Sequence, residues 1–180
     1  MIIDDLIKIL TLPNSIYHNG NKNEWEIVEN KIGIQLPFEY KQFIETYGAG
    51  GIDNFLWFLN PFINEENIGL FIKYPIINNS YLISKQKSPD LFQHVVYPEK
   101  GGLFPFSYTD NGDTLFFLTE GEPDNWPIII YDARSPDYFQ YTNSFIQFFY
   151  QLIIGQLKCS IFPNDFPNNP SQFIGVRIDN

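Results

Sequence analysis

Between Gly101 and Asp132 the chain reads GGLFPFSYTDNGDTLFFLTEGEPDNWPIIIYD, a run that few folds accommodate. Its spacing predicts strands over Leu103–Tyr108, Thr114–Thr119 and Trp126–Tyr131, each doubling back on the one before. Asn111-Gly112 is the dipeptide that best tolerates positive φ at both central positions of a type I′ hairpin turn. Glu120–Asn125 supplies the second reversal. Leu115–Leu118 and Ile128–Ile130 are apolar without alternation, the pattern of strands covered on both faces. The expected fold class is α+β, with a mostly antiparallel central meander and helices packed around it.

The rest of the chain is read against that meander. Ile2, Ile3, Leu6, Ile7 and Leu10 recur at helical spacing and predict a short helix ending before Pro13. Asn23, with Glu26 three residues on, reads as a capped helix start; Trp25, Val28 and Ile32 follow and Gly33 stops it. Pro37 opens a second helix whose stripe is Tyr40, Phe43, Ile44 and Tyr47, closed by Gly48. Gly48–Gly51 reads as a reversal into a buried strand over Phe55–Leu59. No Lys-Ser/Thr pair follows those glycines, so they are not a phosphate loop. Glu65–Lys73 and Asn79–Lys87 read as two helices parted at Tyr74-Pro75, with a short strand over His94–Tyr97. A strand over Tyr138–Tyr141 precedes a helix capped by Thr142 or Asn143 and running to Ile154. Residues 160–180 read as an irregular wrap returning as a strand over Phe173–Ile178. One domain, 1–180, is the simplest division.

Charge narrows the partners. The chain carries 21 acidic and 11 basic residues, a net charge of −10. Such a surface repels phosphate backbones, which argues against direct nucleic-acid binding, and it speeds encounter with a basic protein. No apolar run reaches the roughly 20 residues of a membrane helix, and the start of the chain lacks the basic region of a signal peptide. A soluble cytoplasmic protein is expected. The single cysteine, Cys159, makes no internal disulfide.

Carboxylates are the only plentiful reactive groups. Asp110 and Asp113 flank the hairpin turn, and the antiparallel return brings Asp132 back to the same end. Those three can bind a divalent cation or do acid–base work, or they can simply shape turns. The turn reading is preferred, because no histidine joins them. Glu120, Glu122 and Asp124 lie at the opposite end of the strand, roughly 20 Å away. His18 reads as a solvated loop residue and His94 as structural. No nucleophile elbow or metalloprotease pattern occurs, so no catalytic, cofactor or metal residues are expected and the chain is not expected to be an enzyme.

One resemblance adds to this. The string W-x-x-V-E-x-x-x-G-x-x-L-P from Trp25 to Pro37 continues into FEYKQFIETYGAGG. FLWFLNPF, GGLFPFSYTDNGD, an Asn-Trp-Pro strand and a Phe-rich helix follow in that order. These blocks, over residues 23–156, resemble the SUKH superfamily, the cell-wall-assembly-regulator-like bacterial immunity proteins. The resemblance implies an α+β fold, no cofactor, and a role in binding and neutralising a cognate toxin, often a nuclease. Partner contacts expected on that basis are Asp110, Asp113, Glu120, Glu122 and Asp124, with Asp53, Glu65 and Glu66 near the first strand. Tyr108 and Trp126 are the expected aromatic anchors, since hot spots favour such residues. Two other roles stay open: a regulatory scaffold binding cellular proteins, and a metal-dependent hydrolase using Asp110, Asp113 and Asp132. The sequence is silent on oligomeric state.

Overall fold

In the centre of the molecule Leu115, Phe117, Ile128 and Ile130 face one layer of helices, while Phe116, Leu118, Ile129 and Tyr131 face another. The computed structural model describes residues 2–177. In chain order the elements are α1 (Ile3–Ile7), β1 (Leu10–Thr11), α2 (Lys22–Ile32), α3 (Phe38–Tyr47), β2 (Gly50–Ile52), β3 (Leu56–Phe58) and α4 (Leu70–Lys87). Then come β4 (Leu103–Thr109), β5 (Thr114–Leu118), a 3₁₀ turn (Pro123–Asn125), β6 (Ile128–Tyr131), β7 (Tyr138–Tyr141), α5 (Phe145–Ile153) and β8 (Ser171–Gly175). The strands form one 8-stranded sheet in the order β1-β8-β2-β3-β4-β5-β6-β7. Every pairing is antiparallel except β1 with β8. The expected α+β class and the β4-β5-β6 meander are both present.

The main core lies between the sheet and α1, α2, α3 and α5, and it is largely aromatic. Tyr40, Phe43 and Tyr47 of α3 meet Phe58, Phe106, Phe117, Phe145, Phe149 and Phe173. Edge-to-face and offset contacts of this kind add to the area each ring buries. On the opposite face α4 covers β4, β5 and β6 with Tyr81 and Ile77.

Several expectations are corrected. The N-terminal helix ends at Ile7, and Leu10 sits instead in β1, paired with Ser171. The cap of α2 is Asn21, not Asn23: its side chain accepts from the Asn23 and Glu24 amides at 3.0 and 3.2 Å, and its own amide group donates to Glu24. Glu24, not Glu26, therefore closes the reciprocal cap. Asn21→Ala is expected to cost about 1 kcal/mol in a denaturant titration. Gly50 and Gly51 belong to β2 rather than to a turn, and a Cβ on Gly50 would overlap the Ile174 carbonyl oxygen.

α4 is one helix that runs through Pro75. Proline forfeits one helical hydrogen bond there. Tertiary anchors hold both halves: the Tyr74 hydroxyl donates to the Tyr97 carbonyl at 2.7 Å, and Tyr81 is buried on the sheet. His94–Tyr97 is not a strand; only Val96 bridges, to Leu103. The 109–113 turn is not type I′, because Asn111 keeps negative φ and only Gly112, at 89°, is left-handed. The Gly112 amide donates to Thr109 O and the Thr109 amide to Asp113 O, a three-residue loop of type I turn plus left-handed glycine. α5 begins after Ser144, not Thr142 or Asn143, and its cap comes from elsewhere: Glu39 accepts from the Ile146 amide at 2.8 Å. The tail returns as β8, one strand from the edge. Ile178, included in the predicted strand, lies outside the described residues.

Candidate interaction surface

The residues expected to meet a partner fall at two ends of the meander. At the β3–β4–β5 end, Trp57 and Tyr108 stand opposite each other in register. Asp110 accepts from Trp57 Nε1 at 2.7 Å. The Lys73 ammonium lies 5.0 Å from the centre of the Tyr108 ring. Burial first, then the charges of Asp110 and Glu65, push the Tyr108 hydroxyl above its ordinary range.

Most carboxylates at this end are committed within the fold. Asp53 accepts from the Asn168 and Gln172 amides at 2.9 and 2.8 Å and so ties down the tail. Glu65 accepts from the Asn67 and Ile68 amides at 2.8 and 3.0 Å. Glu66 is exposed. Asp113 is 0% exposed and is withdrawn from the expected contact set. It accepts from Thr109 Oγ1 at 2.7 Å and from the Ala133 amide at 3.1 Å. The antiparallel register does bring Asp132 to this end, but Asp132 accepts from the Arg134 amide at 2.7 Å and shapes the 132–137 turn. Among the described residues, no group of three or more His, Cys, Asp or Glu is arranged to hold a metal ion.

At the other end lies a surface hollow of about 540 Å³, lined by Ile34, Gln35, Tyr97, Glu99, Gly121 and Trp126 among others. Two hydrogen bonds bring its walls together: the Gly102 amide donates to Glu99 O, and the Thr119 amide to Gly102 O. Glu120 lies over Gly101, and Glu122 sits between the lining residues Gly121 and Pro123. Glu99, Glu120 and Glu122 are exposed at the rim, and Lys100 is the one basic residue of the lining. Trp126 is a second correction. It is 7% exposed, donates to the Gly121 carbonyl at 3.1 Å and packs on Phe117, so it is wall rather than anchor.

Asp124 accepts from the Phe38 amide, which caps α3 from across the fold. The Phe38 ring beside it is 61% exposed. Sequence reasoning missed both Phe38 and Glu99. Phe38 follows Pro37 at a helix start, where an apolar side chain outside the Tyr40–Tyr47 stripe must face water. Glu99 has no such signal until the loop before β4 is folded back.

His94 is half-buried on the α4 face. Its Nδ1 lies 2.8 Å from the Tyr131 hydroxyl, and burial, then Lys85, holds its pKa below the usual histidine value. The Lys85 ammonium donates to the Phe92, Gln93 and His94 carbonyls, which pins that loop. Among the described residues no helix is long and apolar enough to cross a membrane.

A family model, SUKH_6, described as SMI1-KNR4 cell-wall, matches residues 22–149. The match runs from the start of α2 into α5 and includes both ends of the meander; α1, β1 and β8 lie outside it. No curated protein and no solved structure matches the chain.

Proposed function

The chain belongs to the SUKH_6 family, SMI1-KNR4 cell-wall, and from that membership we propose that it is an immunity protein that binds and neutralises a cognate toxin. The partner is a basic nuclease, the compartment is the cytoplasm, and the protein acts by occupation, with no cofactor and no chemistry of its own. The observation that carries this reading is the hollow rimmed by Glu99, Glu120 and Glu122, with the exposed Phe38 ring close by. A nuclease holds phosphates with Lys and Arg, and an acidic rim is complementary to that surface. Such complementarity raises the association rate and makes it salt-dependent. Among the described residues none is hydrogen-bonded to the Glu99, Glu120 or Glu122 carboxylate, so a partner's cations reach them without first breaking the fold.

The test is co-expression with the toxin encoded beside it, followed by the triple charge reversal Glu99→Lys, Glu120→Lys, Glu122→Lys. The unaltered chain is expected to protect cells. The triple variant is expected to fold normally and to associate at least about tenfold more slowly at low salt. Every neighbouring toxin remaining lethal overturns the immunity reading. Full protection and an unchanged rate in the triple variant overturn the choice of surface.

A further inference from the structure

β7 is the last strand on one side of the sheet, and among the described residues no segment pairs with its outer edge. Tyr138 and Phe139 are each 37% exposed. The Asp132 amide donates to Asp137 O, which marks that pair as hydrogen-bonded. Alternation along the ladder then makes Phe139 with Ile130, and Tyr141 with Ile128, the next bonded pairs. The N–H and C=O groups of Tyr138 and Gln140 therefore point away from β6, and no other described segment takes them.

Proteins usually blunt such an edge with lysine, proline, a bulge or a covering segment. β7 reads YFQY in unbroken register with β6, without lysine, proline or bulge, and no described segment pairs with its edge. It is also uncharged in a chain of net charge −10. A basic partner finds no acid on this strand to pair with, whereas two copies of an acidic chain can approach here without opposing like charges.

We propose that the free edge of β7 joins a second copy of this chain, strand against antiparallel strand, about a two-fold axis at Phe139. In that register Tyr138 pairs with Gln140 of the other copy, and both exchange their free N–H and C=O groups. Phe139 meets its own counterpart across the axis. Asp137 falls opposite Tyr141, so no carboxylate faces another. A hollow of about 360 Å³ beside the strand, lined by Pro136, Phe139 and Ile161 among others, receives the second Phe139 ring. Two-fold association of one surface with itself is the commonest form of assembly.

Sedimentation of the full chain over a concentration series is expected to show monomer passing to dimer. Phe139→Lys sets two ammonium groups against each other and is expected to weaken the dimer about tenfold or more. Cysteine placement reads the register. Across the axis, Phe139→Cys sets two Cα atoms about 4.5 Å apart, within disulfide reach, and should cross-link on mild oxidation. Gln140→Cys places them on a diagonal of about 7–8 Å and should not. Cys159 is buried and stays out of the reaction. A monomer at every concentration, or equal cross-linking of the two cysteine variants, overturns the proposal. Capture of a toxin strand by β7 in place of the second copy overturns it too. Circular dichroism confirms that each variant is folded.

Discussion

Phe43→Ala is expected to destabilise the protein by about 3–5 kcal/mol, the range for deleting a fully buried aromatic ring. Phe43 is 0% exposed, and its ring lies 4.7 Å from Tyr47, 4.5 Å from Phe58, 5.4 Å from Phe145 and 5.8 Å from Phe173. Those neighbours belong to α3, β3, α5 and β8, so a cavity at this point loosens both the helix layer and the sheet. Against a typical total of about 5–15 kcal/mol, the loss takes a large share of the stability. Urea titration at 25 °C measures it. Phe38→Ala is the control, since that ring is mostly in water and its removal should change stability by no more than about 0.5 kcal/mol. Equal effects at the two positions would contradict the core described above.

Asp113→Ala is expected to cost about 3 kcal/mol. The carboxylate is wholly buried, and its removal takes the acceptor from two donors, Thr109 Oγ1 and the Ala133 amide. Asp110→Ala, on the exposed side of the same turn, loses one hydrogen bond from Trp57 and should cost about 1 kcal/mol. Urea midpoints separate the two, and the Ala133 amide should exchange with solvent much faster in Asp113→Ala alone. If Asp110→Ala proves the more damaging, then the turn is held by the tryptophan and not by the buried acid.

The contrast between those two aspartates shows what the sequence could and could not reveal. The meander was legible because four consecutive apolar residues, Leu115–Leu118, need cover on both faces. The α3 stripe was legible because Tyr40, Phe43, Ile44 and Tyr47 leave one continuous side. Residue type alone, however, made Asp110 and Asp113 equivalent, and only the folded turn buries one and exposes the other. The helix through Pro75 was misread because its support comes from the sheet and from Tyr97, not from its own residues. The caps of α3 and α5 were out of reach for the same reason: Asp124 is 86 residues from Phe38, and Glu39 is 107 from Ile146. Several acids that looked like free surface charge are thus internal ties. The rim that remains is smaller than composition suggested and includes Glu99, which composition gave no reason to single out.

Those two long-range caps are arranged in series. Asp124 grips the front of α3, and Glu39, in the first turn of the same helix, grips the front of α5 with its cargo of buried phenylalanines. Asp124→Ala therefore leaves the Phe38 amide without its partner in the same turn of α3 that carries Glu39. The order of both helix starts is thus set by side chains that lie far off in the sequence, and slow solvent exchange of the Phe38 and Ile146 amides is its expected mark.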